Sequence, residues 1–229
     1  MATAMPSPLR ALLVDNAHPD SVPASEINLD SLLLGMPMGE SSDATTLPGF
    51  LDSNSCAALR AAVDEQHDHE RDTVDGAEDL QLNLTSDDLA ALVGSDQVEA
   101  ILAAGRTLDA QRGGKPRELP IVEAFIRRYE PTTRPWHPFH QDRAAITVNV
   151  ALSDDDDHGG GRLLGLFDDG ARCFERDAGD ATVHLSRIVH GVTRMTHGTR
   201  HALIVFLGHQ PPVRRVLGAD GAWTREVVE

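Results

Sequence analysis

His140-Gln141-Asp142-Arg143-Ala144-Ala145-Ile146-Thr147-Val148-Asn149-Val150-Ala151-Leu152 is the most informative segment of the chain. Residues 145–152 are apolar, short and rich in β-branched side chains, which predicts a strand. Similar segments recur around it. Residues 121–129, 162–167, 171–175, 181–185, 187–192 and 200–208 are strand candidates separated by turn residues, and 222–228 adds a last one. Many short strands at this spacing indicate a sandwich or jelly roll.

Upstream the periodicity is helical. Residues 1–45 mix Pro, Ser, Asp and short apolar patches and read as an irregular leader, packed on the domain or disordered. Ser53 is a plausible N-cap for a helix over 54–66, with Cys56, Leu59 and Val63 on one face. Residues 67–76 are polar and read as a loop. Leu80, Leu82 and Leu84 alternate with Gln81 and Asn83, as in a half-buried strand. Thr85 or Ser86 can cap a short helix, and Gly94-Ser95 separates it from another carrying Val98, Ile101, Leu102 and Leu108. The expected domain runs over 46–229, with a helical part at 46–116 and a β core at 120–229. Helices first and strands after give a helical layer against a mainly β core.

Composition narrows the function. The net charge is −16, which argues against a nucleic-acid partner, because phosphate binding needs clustered Lys and Arg. The apolar run at 9–14 is too short for a signal peptide or membrane span. Cys56 and Cys173 form no Cys-x-x-Cys and suggest no disulfide, so a reducing, cytoplasmic setting is expected. Oligomeric state is not legible.

The chemistry-bearing residues are few and ordered. His140 and Asp142 are two apart, so on extended backbone both point to one side. His190 follows 48 residues after Asp142, and Arg200 ten residues later. Two imidazoles and a carboxylate suit a facial triad for non-haem Fe(II). Each residue also has a bland reading. His-x-Asp recurs in the leader as His18-Pro19-Asp20, with no strand after it. His190 alone would pass for a satisfied core histidine, and Arg200 for a strand-end residue in solvent. Asp154 to Asp157 lacks the pattern of a calcium loop and reads as a solvated hairpin. His137 and Trp136 are candidates for a pocket mouth, and His158, His184, His197 and His201 for packing or surface positions. Arg127, Arg134 and Arg143 are candidates to attract an anionic substrate.

Taken in order, the motifs resemble the Fe(II)- and 2-oxoglutarate-dependent dioxygenases, and within them the prolyl 4-hydroxylase and procollagen lysyl hydroxylase group. The matching residues are Arg128-Tyr129, His140-Gln141-Asp142, residues 147–152, Gly159-Gly160-Gly161-Arg162-Leu163, Gly179-Asp180, Val189-His190 and Gly198-Thr199-Arg200. Pro48-Gly49-Phe50-Leu51 and the helix after it resemble the family's opening segment. The resemblance spans roughly three quarters of the chain. It implies a double-stranded β-helix, the jelly roll of this family, flanked by N-terminal helices. It implies that His140, Asp142 and His190 hold Fe(II), that Arg200 pairs with the distal carboxylate of 2-oxoglutarate, and that Tyr129 assists. Thr147 and Asn149 share a strand face and would line the same pocket, or serve only as sheet residues. The implied activity consumes O2 and 2-oxoglutarate, releases succinate and CO2, and hydroxylates an unactivated C–H bond, with ascorbate as a support. Halogenating relatives carry a small residue at the position of Asp142, so a carboxylate there points to hydroxylation. The expected substrate is an amino-acid-like small molecule or peptide. The other reading is a catalytically silent jelly-roll relative that binds a metal or partner.

Overall fold

The computed structural model describes residues 39–72, 76–113, 117–209, 213–217 and 223–227. Three helices, α1 (Ser53–Glu65), α2 (Ser86–Val93) and α3 (Ser95–Gln111), precede most of the strands. Asp52, not Ser53, caps α1, accepting from the Ser55 amide at 2.9 Å. Thr85 caps α2 in a reciprocal box with Asp88. Gly94, at φ +87°, makes the break between α2 and α3.

The strands are β1 (Ala44–Leu47), β2 (Asp68–Arg71), β3 (Glu78–Leu84), β4 (Ile121–Tyr129), β5 (His137–His140), β6 (Ala144–Ala151), β7 (Leu163–Phe167), β8 (Gly170–Phe174), β9 (Ala181–Leu185), β10 (Val189–Val192) and β11 (Arg200–His209). A hairpin of β12 (Val213–Leu217) and β13 (Trp223–Val227) follows. The major sheet has the order β1-β9-β6-β11-β4-β3-β2 and the minor sheet β5-β10-β7-β8. Among the described residues, the strand pairings within both sheets are antiparallel. This is the expected jelly roll with flanking helices.

Strand alternation sorts the side chains. On the major sheet, Ile126, Ile146, Val148, Val150, Leu203, Val205 and Leu207 share one core with Leu59, Val63, Leu89, Ile101 and Leu108 of the helices. Truncating one of these fully buried residues to Ala is expected to cost about 2–5 kcal/mol. The helix lies close: a Cβ on Gly105 of α3 would stand 2.4 Å from Leu207 Cδ1. The residues between them in sequence, Phe125, Arg127, Tyr129, Thr147, Asn149, Ile204 and Phe206, face a cavity of about 390 Å³ inside the roll.

One sequence expectation about these elements needs correction. Residues 68–71 form β2, not loop. Residues 137–140 form β5, the extended backbone expected at His140. Both strands end their sheets, where a proline or a charged sequence is tolerated because one edge stays unpaired. Residues 39–45, read as part of a leader packed on the domain or disordered, are docked. Gly39 bridges Phe167, and Asp43 is fully buried against Arg187 and Arg112. Residues 1–38, with the apolar run at 9–14, His18 and Asp20, lie outside the described residues. Among the described residues, no helix is long and apolar enough to cross a membrane.

Candidate metal centre and co-substrate pocket

β5 and β10 are antiparallel neighbours, and His140 and His190 are partners in register. Asp142 lies just past β5, fixed by its amide, which donates to the Ser186 carbonyl at 2.9 Å. One ligand atom from each of His140, Asp142 and His190 falls within 4.8 Å of the others. His140 Nε2 is 3.2 Å from Asp142 Oδ1, and His190 Nε2 is 3.5 Å from Asp142 Oδ2. His140 Nδ1 donates to Pro138 O at 2.9 Å and His190 Nδ1 to Ile188 O at 3.0 Å. A carbonyl only accepts, so in each neutral ring the proton sits on Nδ1 and the Nε2 lone pair faces the cluster. Burial, with the neighbouring His140 and His184, pulls His190 down to about 3 despite the opposing pull of Asp142. Burial opposes ionisation of Asp142, but His190 and His140 hold its carboxyl well below the usual range. An ionised carboxylate and unprotonated imidazoles are the states a divalent cation requires. The Thr147 hydroxyl donates to Asp142 Oδ2 at 2.6 Å and also meets Ser186 Oγ at 2.8 Å. Thr147 therefore orients the carboxylate while lining the same cavity.

Arg200 opens β11 opposite Tyr129 of β4. Its guanidinium carbon lies 4.7 Å from the Tyr129 ring centroid, and the residue is 2% exposed. Among the described residues, neither terminal nitrogen has a hydrogen-bond partner and no carboxylate lies within 4 Å. A permanently charged group buried so is stable only with an anion to receive it. Gly160 and Gly161, at φ +70° and +65°, let the chain pass close by: a Cβ on Gly161 would stand 3.1 Å from Arg200 Cδ. These donors fit the groups implied by the sequence, namely a divalent iron on two imidazoles and a carboxylate, and a dicarboxylate reaching Arg200.

Asn149 lies on the cavity wall, and its Oδ1 accepts from Arg176 at 2.8 Å. Arg127 and Arg134 are not open to an anionic substrate. Arg127 pairs with Asp79 at 2.8 Å and Asp72 at 3.1 Å, and Arg134 with Asp79 at 2.7 Å. Burial and the adjacent Asp72 raise Asp79 to about 7, against the pull of both arginines. Arg143 remains exposed at the cavity. His137 is buried at the cavity wall, its ring 4.2 Å from that of His140. Trp136 packs instead on the outer face of the minor sheet, under Arg194. Asp155 is buried, pairing with Arg162 at 2.9 Å, so the acidic run is not a solvated hairpin throughout.

Several polar residues at the site escaped the sequence reading. His184 stacks 4.7 Å from His190 with Nε2 unpartnered, and Thr182 Oγ1 is likewise unpartnered. Their alternation with Ala181, Val183 and Leu185 was the available signal. His158 is buried, its Nδ1 donating to Gly160 O at 3.0 Å and its Nε2 3.8 Å from Asp155 Oδ1. Arg176 sits between Glu175 and Asp177, which resembles a solvated charge run.

No family model matches the chain, and no curated protein matches it in sequence. Solved structures do match. A prolyl-4-hydroxylase from Pseudomonas putida aligns with TM-score 0.56 at 19% identity, over 74% of this chain and 94% of that one. The viral collagen prolyl hydroxylase of Paramecium bursaria Chlorella virus-1, as its 2-oxoglutarate complex, gives 0.54 at 13%, over 72% and 95%. A non-haem α-ketoglutarate-dependent carbocyclase of nogalamycin biosynthesis gives 0.54 at 17%, over 81% and 85%. The chain has the fold of the 2-oxoglutarate/Fe(II) oxygenases.

Proposed function

We propose that this protein is an Fe(II)- and 2-oxoglutarate-dependent dioxygenase that hydroxylates an unactivated C–H bond of an amino-acid-like substrate, free or within a peptide. The observation that carries the reading is the pairing of two features at one cavity, one in its wall and one against Tyr129, which lines it. His140, Asp142 and His190 converge, and a buried Arg200 guanidinium stands without an anion. With both groups bound, such a centre couples decarboxylation of 2-oxoglutarate to succinate and CO2 with insertion of oxygen from O2 into a C–H bond.

The chain's own residues have separate tasks. His140, Asp142 and His190 hold the metal, with Thr147 fixing the carboxylate. Arg200 receives the distal carboxylate of the co-substrate through a planar fork suited to that geometry. Tyr129 backs the guanidinium with its ring. Leu163, Val192 and Ile204 line the cavity and exclude water from it. The cavity wall also holds Phe125 and Phe206, stacked edge to face at 5.6 Å, and the exposed Arg71, Glu123 and Arg143. Charges of both signs beside an aromatic wall suit an amino-acid-like molecule. The carboxylate at Asp142 favours hydroxylation over halogenation. Cys56 and Cys173, both free thiols, fit a reducing, cytoplasmic setting.

The test is succinate release from 2-oxoglutarate with Fe(II), O2 and ascorbate, with and without a panel of amino acids and peptides. Turnover that disappears in His190→Ala supports the reading. Metal binding with no 2-oxoglutarate consumption under any condition supports the silent relative instead.

A further inference from the structure

Arg143 stands next in sequence to Asp142 and lines the 390 Å³ cavity together with His140, Asp142 and His190. Its backbone is fixed on both sides. The Gln141 side-chain amide donates to Arg187 O, the Asp142 amide donates to Ser186 O at 2.9 Å, and the fully buried Ala144 opens β6. Adjacent Cα atoms are about 3.8 Å apart, so the Arg143 Cα is held close to the metal position while its long side chain can swing. That side chain is exposed, and among the described residues its guanidinium makes no hydrogen bond or ion pair.

The other charges of this wall are accounted for. Arg127 is buried and neutralised by Asp79 and Asp72. Arg71, the last residue of β2, is exposed like Arg143 and donates through Nη1 to Gly76 O at 3.0 Å. β2 is the edge strand of the major sheet, and β5, which Arg143 follows, is the edge strand of the minor sheet. Each sheet therefore brings one solvated arginine to one cavity. Glu123 is the remaining acid. It is the register partner of Phe206, which in turn partners Thr147, so it stands two strands, roughly 10 Å, from the residue that holds Asp142. Arg143 thus governs the metal end of the cavity and Glu123 the far wall. A chain of net charge −16 repels anions at long range. Nor would a divalent ion facing Asp142 and a dicarboxylate have positive charge left to draw another anion. The two arginines reverse that field locally, beside the apolar surface of Phe125, Ile204 and Phe206.

We propose that Arg143, assisted by Arg71, determines substrate specificity by gripping a free carboxylate of the substrate at the metal end of the cavity. A planar guanidinium takes a carboxylate through two parallel hydrogen bonds, which fixes orientation as well as position. The C–H bond presented to the metal then lies a few bonds from that carboxylate. The chemistry done on it rests on the dioxygenase reading. A free amino acid and a peptide with a free terminal or side-chain acid both carry the required group; a fully amidated peptide does not.

The experiment is proton relaxation of added probes with the full chain loaded with Mn(II) and 2-oxoglutarate, since paramagnetic broadening reports a probe near the metal and needs no turnover. The probes are the L-amino acids with every carboxylate free or every carboxylate amidated, and N-acetyl tripeptides in the same two forms. At least one free acid is expected to bind, and to bind about tenfold or more weakly when amidated or when Arg143→Gln replaces the wild type. Arg143→Lys is expected to recover part of the loss, and Arg71→Gln to lose less than Arg143→Gln. Broadening of amino acids alone assigns a free amino acid as substrate; broadening of the acid-bearing tripeptides assigns a peptide. Amidated probes that bind as well as the acids, acids that bind Arg143→Gln as well as the wild type, or no binding of any acid would overturn the proposal. Succinate release from 2-oxoglutarate with Fe(II), alongside any of those three results, would leave the dioxygenase reading intact. Binding that depends on the carboxylate and on Arg143, in a protein that never consumes 2-oxoglutarate, would sustain the anion site and remove the dioxygenase reading.

Discussion

His140 and His190 stand as register partners across the β5–β10 ladder, with ring centroids 4.3 Å apart. Each ring donates through Nδ1 to a backbone carbonyl two residues earlier, Pro138 or Ile188, and Asp142 is tied to Ser186 and Thr147. The ligand set is thus preorganised by the sheet and its neighbours. Replacing Asp142 or His190 by Ala is expected to abolish tight Mn(II) binding with little change in fold, since the apolar core carries the stability. Thr147→Val is expected to weaken Mn(II) about 10- to 100-fold through the misplaced carboxylate. Calorimetry with circular dichroism checks both; wild-type affinity in Thr147→Val removes its positioning role.

Arg200→Lys keeps a charge and loses the fork. It is expected to weaken 2-oxoglutarate by about tenfold, and Arg200→Ala by considerably more. The affinities of both variants, measured with Mn(II) in place, decide this. Unchanged affinity in Arg200→Ala would unseat the residue from the co-substrate site.

Stability should fall in acid for a traceable reason. Burial lowers His137, His158, His184, His190 and His201 below their ordinary value. The unfolded chain takes up these protons as pH falls through about 6.5, while the folded chain resists them, down to about 3 for His190. Unfolding then binds protons, and stability drops as pH falls. Each imidazole contributes up to about 1.4 kcal/mol per pH unit within that window. Asp79, raised to about 7, has the opposite sign, because the folded state keeps its proton where the unfolded carboxyl has lost it. Urea unfolding of the metal-free protein at pH 7.5, 6.5 and 5.5 measures the balance. A flat profile would mean that the imidazoles are not held neutral.

On the proposed reaction, Asp142 fills the position that a halide would need. The product is expected to carry oxygen even in concentrated chloride. Mass spectrometry of products from the unaltered protein reads this directly, and a chlorinated product would refute hydroxylation.

Legibility in the sequence followed the range of the interactions. The alternation of Thr147 and Asn149, and of Phe125, Arg127 and Tyr129, gave the inner face correctly because alternation is local. The partners of those side chains were not legible, because they lie far along the chain. Arg127 and Arg134 read as free cations until Asp72 and Asp79 arrive on the edge hairpin. Asn149 read as a pocket or sheet residue, but its side-chain Oδ1 meets Arg176, 27 residues on. Pro138 is acceptable in β5 only because that strand lies at the sheet edge.

Asp43 sets a practical limit on how far the chain can be trimmed. Its carboxylate receives Arg187, three residues before His190, and pairs with Arg112 at the C-terminus of α3. A recombinant version starting at residue 46, as composition alone would recommend, strands both arginines and removes half of β1 from β9. The bared strand is then a ready template for intermolecular pairing. Expression of soluble protein should therefore collapse between start sites on either side of Gly39 to Leu47.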